Sequence, residues 1–223
     1  MSIRIENVVL TSPEQMMFII QGLRNPMNSY AKSDSSSGQI CVEGGKFILA
    51  STNNDFILGE NDFKLMTNLA KAGVEHRKYI RMMPVYVRIT APLYWWKEAD
   101  TYKIGTVSNS CSTMHKIAEK ELTLRDFSIE HLSYQSLKNL RNTIKCINDY
   151  REKYLETKDK KYWWQMIQLL PSSYNQTRNI MFNYEVLANI YKQRQNHKLD
   201  EWIEFCNWIE TLPHYELITE KEE

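Results

Sequence analysis

The sequence predicts an α+β domain, a mixed sheet with helices in its first half followed by a helical second half. Three observations carry this. Short apolar stretches at residues 3–10 and 82–90 have the alternation or β-branched content of strands. From about residue 126, apolar residues recur at helical spacing over 126–155, 159–169, 172–194 and 198–211. The 223 residues are 43% hydrophobic and 25% charged, an ordinary globular balance that supplies one sizeable core. The chain is therefore read as one domain, with a sheet-rich half (1–125), a helical half (126–212) and a tail (213–223).

The elements follow in order. Residues 3–10 form a strand through Ile3, Ile5, Val8, Val9 and Leu10. Ser12-Pro13-Glu14 supplies a cap and a proline at a helix start, so residues 13–24 form a helix. Residues 25–38 are turn formers and make the loop expected to be mobile or to face a ligand. Residues 39–50 and 55–58 are short strands around a Gly44-Gly45 turn. Phe63, Leu65, Met66, Leu69 and Ala70 place a helix at 60–72, with Gly73 as its C-terminal cap. A strand at 82–90 leads into a short helix after Pro92, and 101–117 is polar and irregular. Long aromatic helices complete the chain, broken near Thr157-Lys158-Asp159 and at Pro171.

Charge excludes some functions. Lys and Arg total 28 and Asp and Glu 27, so no basic excess exists to coat a nucleic-acid duplex. No window approaches the ~18 apolar residues of a membrane span, and no secretory signal pattern is present, so a cytoplasmic protein is expected. Cys41, Cys111, Cys146 and Cys206 form no CxxC pair and read as small hydrophobes rather than as metal ligands or a disulfide framework. The seven glycines form neither a dinucleotide-binding GxGxxG nor a P-loop.

The stretch Leu170 to Trp202, LPSSYNQTRNIMFNYEVLANIYKQRQNHKLDEW, is the most specific. Asn183 stands twelve residues after Pro171 and Arg194 eleven after Asn183, with Asn189 between them. In these spacings the chain resembles the flavin-dependent thymidylate synthases. Glu75-His76 looks like that family's Glu-His near the end of an early helix. About 25 residues beyond it stands TYKIGTVSNSCSTMH, residues 101–115. This keeps the hydroxyl, Asn and Ser outline of the family's central motif but not its three arginines. The resemblance covers residues 1–212 in element order.

The resemblance implies a homotetramer whose pockets, shared between subunits, take flavin (FAD) and a deoxyuridylate. It makes Arg194 the pyrimidine-contacting, catalytic group. It also makes His76, Tyr102, Lys103, Ser110, Ser112, Thr113, His115, Arg178, Asn183 and Asn189 the ligand-binding candidates. Lys103 stands where the family has an arginine and would meet a phosphate only as a point charge. Tyr102 replaces a histidine, exchanging a titratable ring for a stacking one, and with Trp95 and Trp96 could wall a base. Glu185 replaces an arginine that serves the flavin, so a pyrophosphate there is repelled unless a group such as Arg178 or Lys192 compensates. FAD is therefore the implied cofactor, and Glu185 counts against it; no metal set is seen.

Three functions remain open. The first is a binding protein that holds a nucleotide without turning it over, for example a phage-type protein sequestering a nucleotide immune signal. The second is a divergent flavin-dependent thymidylate synthase or related pyrimidine-modifying enzyme. The third is an interaction module built on the aromatic helices.

Overall fold

A computed structural model describes residues 3–37, 41–43, 46–48 and 56–219, and for 41–43 and 46–48 the backbone alone. Its first half runs β1 (Arg4–Val9), α1 (Pro13–Arg24), β2 (Ser36–Ser37), β3 (Cys41–Glu43), β4 (Lys46–Ile48), β5 (Phe56–Ile57), α2 (Glu60–Lys71), α3 (Lys78–Arg81), β6 (Pro84–Pro92), α4 (Leu93–Ala99), β7 (Val107–Ser110) and α5 (Thr113–Lys116). Then come α6 (Tyr134–Thr157), α7 (Lys160–Leu169), β8 (Asn175–Asn183), α8 (Tyr184–Arg194), α9 (Asp200–Ile209) and α10 (Glu216–Thr219).

The expected α+β architecture is present. A four-stranded antiparallel sheet in the order β1-β6-β8-β7 forms its centre. The inward side chains of β6 (Val85, Val87, Ile89, Ala91) and of β8 (Ile180, Phe182) are buried against the helices. Trp95, Trp96, Trp202 and Phe205 fill the centre of that core, with their rings tilted or edge-to-face. On the opposite face Tyr86 is half exposed, as suits an antiparallel sheet covered on one side.

Helix α1 starts where its cap signal lies. Ser12 accepts from the Gln15 amide while the Gln15 side chain accepts from the Ser12 amide, a complete capping box. Met16, Ile19, Ile20 and Leu23 then bury one stripe. A second, smaller core joins α6 and α7 around Ile144, Ile147 and Met166.

The structure corrects four local readings. The helix expected over 172–194 is two elements, strand β8 and helix α8. Gln176 and Arg178 share the inward face of β8 with Ile180 and Phe182, so the apolar alternation that marks a strand is diluted. The helix expected from 126 begins at Tyr134, after the Ser133 cap; Phe127 instead bridges to Tyr174 in extended conformation. The irregular 101–117 segment contains β7 and α5. The segment 25–37 is tied down: Asp62 accepts from the Ser33 and Ser35 hydroxyls and from the Asp34 and Ser35 amides. The strands expected at 39–50 and 55–58 lie partly outside the described residues. Among those described, no helix is long and apolar enough to cross a membrane and no His/Cys/Asp/Glu cluster suits a metal.

Candidate ligand site

Two neighbouring clusters gather five of the eleven expected site residues, Arg194 and Tyr102 in one and Arg178, Ser112 and Thr113 in or beside the other, and α4 stands between them. Pro92 ends β6 and opens this helix, whose Trp95 and Trp96 are fully buried. That anchoring fixes where Glu98 and the C-terminal cap Asp100 present their carboxylates.

Arg194, in the last turn of α8, reaches Glu98. Its Nη1 donates to Glu98 Oε2 at 2.9 Å and its Nε to Tyr102 Oη at 2.9 Å, while His197 Nε2 lies 2.9 Å from Nη1 and His197 Nδ1 accepts from the Leu199 amide. The guanidinium lies 5.0 Å from the Trp202 ring centre and 5.8 Å from that of Tyr102. Trp202 Nε1 donates to the same Glu98 oxygen at 3.0 Å. Arg194 and Tyr102 are thus brought together, with the arginine already matched by an internal anion.

Arg178 behaves alike. It stacks 4.3 Å over the Trp96 ring, donates through Nη1 to Asp100 at 2.6 Å, and through Nε to Gln176 Oε1 at 2.9 Å. Gln176 Nε2 in turn donates to the Cys111 carbonyl and to Thr113 Oγ1. The strand residue therefore pins the junction of β7 and α5, and Trp163 Nε1 holds α5 itself by donating to the Met114 carbonyl.

Beside that junction opens a cleft of about 780 Å³. Its floor carries Ser112, Thr113, Asn175, Gln176 and Thr177, and Arg4, Lys116, Lys120 and Arg125 supply cations. Lys120 is paired with Asp126, whose hydrogen bond and charge raise the lysine pKa, and Lys116 with Glu119. Arg125 is exposed and makes no ion pair or side-chain hydrogen bond among the described residues. Burial raises the pKa of the Tyr174 phenol at the cleft wall, so it remains a neutral donor. Hydroxyls, carboxamides and cations in one concavity are groups that bind phosphate and base edges.

The other expected residues are dispersed. Asn183 caps α8, its Oδ1 accepting from the Val186 amide at 3.0 Å. Gly105, at φ +82°, lets the preceding turn sit on it, since a Cβ there would lie 2.8 Å from Asn183 Nδ2. Lys103 is exposed at a small cavity with Tyr102 and Thr106. Ser110 is exposed opposite Arg178 in the sheet register; His76, His115 and Asn189 are exposed. Glu98, Asp100, His197 and Gln176, which organise the two clusters, were not among the expected residues. Nor were the cleft cations Arg4, Lys116, Lys120 and Arg125. Inward-facing Gln176 was legible only once β8 is recognised as a strand.

Glu185 bears on flavin. Its Oε2 lies 3.3 Å from Arg77 Nε, with the two side chains only 12% and 16% exposed. The contact is ionic rather than an aligned hydrogen bond. Arg77, rather than Arg178 or Lys192, compensates the reversed charge. The result is a closed neutral pair in the first turn of α8, where a pyrophosphate would need free cationic donors. At the position where the resemblance implies an arginine serving the flavin, this pair leaves no free cation for a phosphate.

No protein-family model and no curated protein matches the sequence. Solved structures do. A flavin-dependent thymidylate synthase ThyX from Helicobacter pylori, complexed with FAD and dUMP, superposes with TM-score 0.65 at 16% identity, covering 100% of both chains. A second structure of the Helicobacter pylori enzyme with FAD and dUMP gives 0.64 at 16% identity, over 99% of this chain and 98% of that one. A UMP/dUMP methylase PolB from Streptomyces cacaoi, bound with 5-Br UMP, gives 0.60 at 12% identity, over 98% of this chain and 94% of that one. Similarity of this extent at such low identity makes the chain a divergent protein with the fold of the flavin-dependent thymidylate synthases along its whole length.

Proposed function

We propose that this protein binds a phosphorylated nucleotide without flavin chemistry, and that the ligand lies in the cleft beside Ser112 and Thr113. The observation that carries this reading is a division of cations. Arg194, Arg178 and Arg77 are each mostly buried and matched by a carboxylate, whereas the cleft offers exposed Arg125, which makes no ion pair among the described residues, and exposed Arg4, whose partner Glu6 is itself open to solvent, beside hydroxyl and carboxamide groups. The solved relatives, which hold dUMP or 5-Br UMP on this fold, support a pyrimidine nucleotide as the class to try first.

In the cleft, Ser112 and Thr113 hydroxyls and the Asn175 carboxamide orient the ligand, while Arg125 grips phosphate and Arg4 and Lys116, whose ion pairs with Glu6 and Glu119 are open to solvent, add cationic charge at its rim. Sequestration of a nucleotide immune signal by a phage-type protein is the sharper form of this reading. Exposed Val9, Tyr86 and Val107 on the outer sheet face suit contact between copies of the chain, in keeping with a homo-oligomer.

The first experiment is an absorbance spectrum of the purified protein with mass spectrometry of what denaturation releases. Titrations with UMP, dUMP and cyclic dinucleotides follow. A colourless protein that binds one of these, and binds it at least about tenfold more weakly after Arg125→Glu, is the expected result, since a reversed charge at a phosphate contact costs on the order of a charged hydrogen bond. Flavin in near-equal amount to protein would return the synthase reading. A protein that binds no nucleotide would overturn the proposal.

A further inference from the structure

We propose that Glu98 is a specificity-determining residue: an internal anion that holds Arg194 closed to any phosphate-bearing ligand. Three features of the geometry support it. The first is donor accounting. A guanidinium has five N–H donors, and Tyr102 and Glu98 already engage two of those on Arg194, while the His197 ring crowds Nη1 at 2.9 Å. A bidentate phosphate needs two parallel donors on one edge, and the edge formed by Nε and Nη2 is half spent on the Tyr102 hydroxyl.

The second feature is that the carboxylate is held from two sides. Trp202 Nε1 and Arg194 Nη1 both donate to Glu98 Oε2. Trp95 and Trp96 lock the helix that carries it, and Trp202 is itself fully buried. The anion is therefore delivered to Arg194 with little further loss of freedom, whereas a free phosphate must lose translational entropy to compete.

The third is charge. Arg194 is 19% exposed and lies against the Trp202 and Tyr102 rings, where a cation needs a counter-ion and two anions repel. With Glu98 ionised the cluster is already neutral, so a phosphate arriving at Arg194 would add an unmatched negative charge. Glu98→Gln removes that charge yet leaves a carbonyl oxygen to accept from Trp202.

The inference concerns Arg194 and stands apart from the cleft reading. UMP and inorganic phosphate are the probes, measured by calorimetry, with thermal melting to establish that each variant is folded. Glu98→Gln is expected to bind UMP at least about tenfold more tightly than the unmodified protein, the size of one charged hydrogen bond gained. The gain is expected to vanish in Glu98→Gln/Arg194→Ala. Should Glu98→Gln not fold, Glu98→Ala is scored alike. The unmodified protein gives a second measurement: phenylglyoxal should modify Arg194, followed by peptide mass spectrometry, more slowly than Arg125.

Folded variants whose UMP affinity stays within twofold of the parent would overturn the inference. So would loss of UMP affinity on Arg194→Ala in the otherwise unmodified protein. Failure of the cleft reading looks different: the unmodified protein binds no nucleotide, while Glu98→Gln still gains a site.

Discussion

Two arginines, each at the end of a helix and each facing a carboxylate from a distant segment, behave differently in this molecule. Arg24 ends α1 and meets Asp62 of α2 at 2.5 Å, with side chains 4% and 0% exposed. Arg194 ends α8 and meets Glu98 of α4 at 2.9 Å, with side chains 19% and 35% exposed. Asp62 also accepts from two serine hydroxyls and two backbone amides, so its oxygens are saturated by the segment it organises. On Glu98, hydrogen bonds reach a single oxygen. The first pair is an anchor for residues 25–37. The second is a contact that another anion could contest, and saturation and burial separate the two roles.

Removing the Asp62 charge should have the largest effect. Asp62→Asn leaves Arg24 buried without a counter-ion, and such uncompensated charges cost about 3–5 kcal/mol. Urea unfolding should show a loss of that order with little change in slope. A loss under about 1 kcal/mol would mean that water reaches Arg24 and that the two pairs are alike.

Acid sharpens the same contrast. Burial alone would push the Asp62 carboxyl up, but hydrogen bonds from Ser35, Ser33 and Arg24 outweigh it and hold the pKa below the usual aspartate value. A folded-state pKa that is depressed stabilises the protein above the unfolded value of about 4, and that contribution disappears as pH falls through the folded value. Stability measured from pH 5 downward should therefore fall less steeply in Asp62→Asn than in the parent. Equal slopes would remove Asp62 from the acid response.

Gly59 tests how tightly the anchor is built. A Cβ there would lie 2.1 Å from Asp34 Oδ1 and 2.4 Å from the Asp34 backbone carbon. The Asp34 carboxylate accepts from the Asn61 and Asp62 amides and so caps α2. Gly59→Ala should thus lose the cap and force the 33–35 backbone outward, together about 2 kcal/mol. A melting temperature equal to the parent's would show that residues 33–35 yield freely.

These contrasts also explain what the sequence made legible. Ser12, Pro13 and Glu14 announce α1, and Val85, Val87 and Ile89 announce β6, because caps and alternation are local signals. Strand β8 was hidden because Gln176 and Arg178 occupy inward positions where a strand pattern calls for apolar residues; Trp96 and Asp100 satisfy Arg178 there. The Asn183 cap was visible in the sequence and could have divided the strand from the helix. The spacing of Asn183 and Arg194 pointed to the correct fold. Their neighbours did not follow from it, since Glu98 lies 96 residues from Arg194 and only packing brings them together.

The smallest expected effect completes the comparison. Glu98→Gln removes a charge from a pair that is partly open to water, where ion pairs contribute about 1 kcal/mol or less. The amide oxygen still accepts from Trp202, Tyr102 still accepts from Arg194, and the buried rings of α4 and α9 are untouched. Its melting temperature should fall by only a few degrees, against the far larger fall for Asp62→Asn. If the two variants unfolded alike, Glu98 would be an anchor of the same kind as Asp62, holding the core together rather than governing access to Arg194. A small loss of stability together with a gain in phosphate affinity would separate them, because an anchor cannot be neutralised cheaply and an internal competitor can.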